Sequence, residues 1–394
     1  MFTYNYSINS IHVGFSSPRF QYFFWIFLIS IFAFLFSINK FKKIAAFLLI
    51  LFLFEIIFGF IAASLQKINI NVIEFFPDNF VSNRFDPHPL LVGIPSSDVK
   101  SYSSFINTNS IEIISHNSTN QRTVPNNRYS KNLIPIAVLG GSTVYDVALS
   151  DDDTWVNQLS ILLGENFFIT NNGVPGYTTA EHLIQTNFYL DRGINTMPVC
   201  AIYYLGWNDI RNFGIEDIDQ GFAKFHLNSQ LNNLRIINKE RFSPLLSILE
   251  MLVINNLFIH NNINLGPVVK VDNNTLRMDE SIKISLGNIE TIIFLNNKRK
   301  IKTIYIPQII NLEKFTNKSP YGWLPRVRDV DVPKLLTYFN SEAKKIVTSN
   351  NAVFFDISNK EFNDEDFRDN GHFSPEGAAK FSKKIFYSVE KMCN

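Results

Sequence analysis

Cysteine is scarce: the 394-residue chain holds Cys200 and Cys393 and no others. That excludes a disulfide framework, and Cys200, inside an apolar run, is expected to be a small core residue. Metal-ligand spacing is missing as well. No Cys-x-x-Cys and no clustered Cys/His pattern occurs, so no metal site and no cofactor is expected. Excess charge of either sign is also missing, the formal net charge being +1. A near-neutral chain lacks the basic surface of a nucleic-acid binder, and no nucleic-acid partner is expected. No segment repeats internally.

Phenylalanine, by contrast, is abundant, with 38 residues, many of them in an early block. Residues 22–38 and 44–65 are two nearly unbroken apolar runs. Each is about long enough for a membrane-spanning helix, which needs roughly 20 residues. The connecting loop carries Lys40, Lys42 and Lys43, too short a link for anything but a helix–helix turn. A transmembrane hairpin over 22–65 is therefore expected, after a tail over 1–21. Positive loops stay cytoplasmic, so the loop is expected inside and the large domain outside the cytoplasm. A rival assignment takes the lysines as the start of a late signal peptide cleaved after Ala62-Ala63-Ser64, although its apolar stretch is too long. Glu55, the one acid in the second run, is expected to face the partner helix or a bilayer edge.

Residues 66–130 are rich in Asn, Ser and Pro and read as a lead-in that packs on the main domain. Two prolines flank His88 there, which suits a rigid turn with a surface histidine better than a cleft residue. From 131 to 394 strands and helices alternate, with an irregular insertion around 211–277. Strands are expected at 134–139, running into a glycine turn at Gly140-Gly141, and at 167–170, 199–205, 302–307 and 352–356. Helices are expected at 153–163, 179–191, 281–295 and 333–348. A last helix starts at Ser374-Pro375, serine as cap and proline in the first turn. Such alternation argues for an α/β fold with a parallel sheet covered on both faces. The basic run from Lys298 to Lys302 reads as a solvated loop.

Four pieces fall where the carboxyl edge of that sheet belongs, which is where open α/β sheets bind ligands. Ser142 follows the first strand, in a Gly140-Gly141-Ser142-Thr143 turn. Gly173 follows the second and Asn208 the third. Asp369 and His372 lie in the loop after the last strand. Each alone is weak. Together they supply a nucleophile, a base and an acid to orient the base. Backbone N–H groups of Ser142 and Gly173 and the side-chain amide of Asn208 are the expected oxyanion donors. Asp209, which cannot donate when ionised, is expected to brace its loop. Trp207 and Trp323 are expected to fill gaps between loops and helices.

In order and content these pieces resemble the blocks of the SGNH/GDSL hydrolases, over roughly residues 134–389. The likeness implies a flavodoxin-like three-layer α/β/α sandwich and metal-independent hydrolysis or transfer of acyl groups. It also implies a catalytic set of Ser142, Asp369 and His372, with Ser142, Gly173 and Asn208 as the oxyanion hole. Gly-Gly-Ser-Thr stands where Gly-Asp-Ser-Leu is commoner, as in membrane-anchored bacterial members, and this leaves the substrate open. The expected activity is a serine esterase acting through an acyl-Ser142 intermediate. The expected partners are the membrane and an ester-bearing glycan or lipid. The rivals are an acyltransferase on envelope glycan, a lysophospholipase-like lipid hydrolase, and a catalytically silent glycan-binding protein.

Overall fold

Nine strands and seven α-helices are seen among the described residues of the computed structural model. These residues are 84–88, 90–104, 111–127, 133–194, 196–215, 269–316, 324 and 326–394, with scattered helical positions between 26 and 57. The chain divides into two compact units, one of Arg84–Asn232 with Leu265–Asn394, the other of Met1–Asn83 with Asn233–Asn264. In the second of these, Phe27, Ile29, Phe47, Ile50, Leu53 and Ile57 are helical and exposed. The rest of the expected hairpin over 22–65 and most of the insertion around 211–277 lie outside the described residues. No helix among the described residues is long and apolar enough to cross a membrane.

The larger unit is built on a parallel five-stranded sheet. Its strands are β5 (Ile134–Gly140), β6 (Phe167–Asn171), β7 (Cys200–Leu205), β8 (Lys302–Pro307) and β9 (Val353–Phe354). Their spatial order is β6-β5-β7-β8-β9, the 2-1-3-4-5 order of flavodoxin-like folds. The central strands are apolar throughout because both faces are covered. Alternate residues of β5 serve opposite layers. Ala137 and Leu139 join one core cluster, and Ile136 and Val138 the other.

On the first face lie α3 (Thr179–Phe188), α5 (Glu280–Lys298) and α6 (Val332–Ser349), which contribute residues such as Ile289, Leu335 and Phe339. On the second lie α2 (Trp155–Leu163) and α7 (Pro375–Cys393), with Trp155, Leu159, Phe381 and Ile385. The remaining helices are the single turn α1 (Ser142–Tyr145) and the short α4 (Asn273–Met278). Helix α7 begins as its sequence predicts: Ser374 caps it through the Gly377 N–H at 3.1 Å, and Pro375 sits in the first turn.

The lead-in forms two antiparallel hairpins, β1 (Phe85–His88) with β2 (Val92–Pro95) and β3 (Lys100–Ser104) with β4 (Ile111–Ser115). Arg122, fully buried beyond them, pairs with Asp151 at 2.7 Å and donates to Leu149 O. His88 closes a turn by accepting the Leu90 and Leu91 N–H groups on Nδ1.

Cys200 departs from expectation. It is buried in β7 as a core residue should be, but it is bonded to Cys393 at the end of α7. The partners are 193 positions apart in sequence, so nothing local announces the bond. It fastens the last helix to the strand that leads to Asn208.

Candidate active site

The chain leaves β5 for β6 on one side and then crosses to β7 on the other. The carboxyl ends of β5 and β7 therefore flank the point where strand order reverses, the usual place for a ligand crevice. Ser142 stands at the end of β5 as the first residue of α1, where a backbone N–H has no intrahelical partner. Asn208 stands just past β7. Their turns approach so closely that a Cβ on Gly141 would have to displace the Asn208 amide nitrogen.

His372 joins these from the loop before α7. Its Nε2 lies 2.8 Å from Ser142 Oγ and its Nδ1 2.7 Å from Asp369 Oδ2. An ionised carboxylate only accepts, so Nδ1 carries the proton and Nε2 is left to accept from the serine hydroxyl. Asp369 Oδ1 meanwhile accepts the Gly371 and His372 N–H groups at 2.9 and 2.8 Å. That local turn is why acid and base sit three residues apart. The loop is held from behind. Arg368 N–H donates to His372 O, Asn311 N–H donates to Asn370 O, and the Phe367 and Phe373 rings stack.

Burial pushes the Asp369 carboxyl up. Its bond to His372, the charge there and the two backbone donors outweigh burial and hold it below its ordinary value. It stays ionised at neutral pH, as an acid that steadies an imidazolium must.

The structure thus brings together Ser142, Asp369 and His372, with Asn208 beside them. Asn208 Nδ2 donates one hydrogen to Tyr177 O at 2.8 Å, and an amide nitrogen has a second to offer. A recess of about 10 Å³, roughly the room of one water, lies among Gly141, Ser142, Asn208 and Gln308. Gly173 is placed differently from expectation. Its N–H donates to Asn171 Oδ1 at 3.0 Å, and a Cβ there would lie 2.8 Å from Val144 C and collide with Tyr145 N. Gly173 lets β6 pack against the serine turn, and its N–H is engaged by the Asn171 side chain. Asp209 braces as expected, accepting from Thr179 N and Oγ1 at 3.0 and 2.7 Å. Trp207 is buried against Phe315.

Three supports were not foreseen. Gln308, directly after β8, accepts from Thr143 Oγ1 at 3.1 Å and donates to Tyr204 OH at 3.0 Å. Its position at the carboxyl end of a strand was the available signal. His116 sits under the serine turn, Nδ1 on Ser96 O at 3.0 Å and Nε2 on Tyr145 OH at 2.7 Å. Burial, with Arg122 nearby, lowers its pKa to about 3. Asp146 ends α1 in a left-handed conformation, accepts Trp155 N–H at 2.9 Å on Oδ2, and leaves buried Oδ1 without a partner. Burial raises its pKa to about 7. Among the described residues no group of His, Cys, Asp or Glu is arranged to hold a metal ion.

No family model matches the chain, and none of the curated proteins matches it in sequence. Solved structures do. Its structural neighbours are esterases and acylhydrolases. TesA shares 11% identity over 66% of this chain and 99% of its own, with a TM-score of 0.39. A GDSL-like lipase from Bacteroides thetaiotaomicron shares 15% over 67% and 92%, at 0.37. The psychrotrophic esterase EstA from Pseudoalteromonas shares 13% over 66% and 97%, at 0.38.

Proposed function

We propose that this protein is a serine esterase, and the relay from Ser142 Oγ through His372 to Asp369 carries the proposal. Ser142 Oγ attacks the ester carbonyl as its proton passes to His372 Nε2. The imidazolium that forms is steadied by Asp369 on the other nitrogen. Negative charge builds on the carbonyl oxygen, where the Ser142 N–H and the second hydrogen of Asn208 Nδ2 act as donors. One such donor is typically worth roughly 2.7–4 kcal/mol in the transition state. Collapse breaks the ester C–O bond, and His372 returns the proton to the departing alcohol. Water then attacks the acyl-Ser142 carbonyl, His372 takes its proton, and Ser142 leaves with that proton as the acid is released.

The setting we propose is a membrane anchor with the catalytic unit outside the cytoplasm, acting on O-acyl groups of polysaccharide or glycan. Support comes from the two apolar runs and the lysine-bearing loop between them. It comes also from the exposure of Phe47, Ile50, Leu53 and Ile57 within the second run. The buried Cys200–Cys393 bond suits an oxidising compartment.

A fluorophosphonate probe tests the chemistry. It is expected to label the wild-type protein at Ser142 and to leave His372→Ala unlabelled although folded. A folded wild-type protein that takes no label at Ser142 overturns the esterase and restores the silent binding protein. Products formed with acceptor glycan present separate hydrolysis from transfer.

A further inference from the structure

Asn208 opens a short 3₁₀ turn, Asp209–Asn212. The Arg211 N–H donates to Asn208 O at 3.4 Å, and Asn208 itself is helical in conformation. In such a turn side chains three apart eclipse. Arg211 therefore stands on the same face as Asn208, whose amide lies against Gly141, the residue before the serine. The neighbours in the turn point elsewhere, Asp209 to Thr179 and Ile210 into the core.

The Arg211 guanidinium makes no hydrogen bond or ion pair among the described residues. Others in the same unit are engaged: Arg122 by Asp151, Arg328 by Asp331, and Arg299 by the Thr186 and Asn187 carbonyls. Arg211 is exposed by its accessible area. Yet enough chain surrounds it to lower its pKa through burial, and no carboxylate acts to raise it back. A solvent-facing guanidinium with no opposite charge among the described residues is open to an anion that arrives from outside.

We propose that Arg211 is a specificity residue that binds an anionic group on the substrate, a carboxylate or a phosphate, beside the ester held at Ser142. The planar guanidinium suits either by paired N–H donors. The proposal rests on the esterase assignment for its location and narrows the substrate to anionic esters.

The test uses the full chain and three acetate esters: para-acetoxybenzoate, para-acetoxyphenyl phosphate and the neutral methyl para-acetoxybenzoate. Arg211→Gln is expected to lower kcat/KM about tenfold for the carboxylate, the phosphate or both, through KM, and to leave the methyl ester within about twofold. Arg211→Lys is expected to fall between. The two charged arms tell a carboxylate from a phosphate preference. Equal losses on charged and neutral esters, or no loss on either charged one, overturn the proposal.

Absence of turnover of all three by the wild type would count against the esterase and not against Arg211. Nuclear magnetic resonance titration with para-hydroxybenzoate and with inorganic phosphate then decides. Binding about tenfold tighter to the wild type than to Arg211→Gln supports the site. Equal affinity, or no binding of either, refutes it.

Discussion

His372 Nε2 meets Ser142 Oγ at 2.8 Å across 230 residues of chain. The contact joins the first and last segments of the sheet, since Ser142 follows β5 and His372 precedes α7. Both ends are stiff. Gln308 holds the turn on one side through Thr143, and a double backbone contact to Asp369 holds the loop on the other.

The two glycine- and asparagine-borne donors expected from sequence should separate experimentally. Asn208→Ala removes a side-chain amide beside the serine and is expected to lower kcat by about 10²–10³, beyond the roughly 1–3 kcal/mol of stability lost with its bond to Tyr177 O. Gly173→Ala forces a methyl against Val144 and Tyr145 and is expected to cost about 1–3 kcal/mol of stability. Thermal unfolding alongside kinetics checks both. A Gly173→Ala protein of full stability but greatly reduced kcat would return the Gly173 N–H to the oxyanion hole.

Asp146 should make stability fall as pH rises toward neutrality. Its folded pKa, raised to about 7 from 3.8 by burial, means the folded state keeps a proton that the unfolded state has lost. Its contribution is full below about pH 4 and is lost as pH rises through about 7, amounting to a few kcal/mol. His116 acts in the opposite sense. Its pKa is lowered to about 3 from 6.5, so its contribution is full above about pH 6.5 and is lost on acidification toward pH 3. The urea midpoint of Asp146→Asn, compared with wild type between about pH 5 and pH 7.5, should show the smaller decline. Parallel curves would remove Asp146 as the titrating group.

The Cys200–Cys393 bond closes a loop spanning 193 positions, and both cysteines are fully buried. Cross-links over so long a loop stabilise by up to roughly 5 kcal/mol on chain-entropy grounds. The Cys200→Ser, Cys393→Ser double variant is expected to unfold at clearly lower denaturant. Native wild-type protein should resist reductant until unfolded. Equal midpoints for the two proteins would contradict this.

Much of the layout was legible from pattern. Strand β8 occurs at 302–307 as expected and β5 runs from 134 into the first glycine of the expected turn, because a two-face-buried strand writes itself as a short apolar run bounded by Gly or Pro. The cap at Ser374 was equally plain. Ser142, Asn208, Asp369 and His372 could be grouped because each comes after a strand, and the loops that leave parallel strands all gather at the carboxyl edge. Long-range partners were not legible. Arg122 with Asp151, Gln308 with Thr143 and Cys200 with Cys393 are each set by the folded sheet, and no spacing encodes them. The partner of the Gly173 N–H has a local cause. An asparagine two residues before a backbone N–H readily claims it, and Asn171 does so here.

The central claim is that Ser142 Oγ is the nucleophile. Its most direct test is kcat/KM for para-nitrophenyl acetate with wild type and Ser142→Ala, at matched thermal stability. The geometry predicts a fall of at least about 10³-fold in the variant. Equal rates in two equally folded proteins would contradict it.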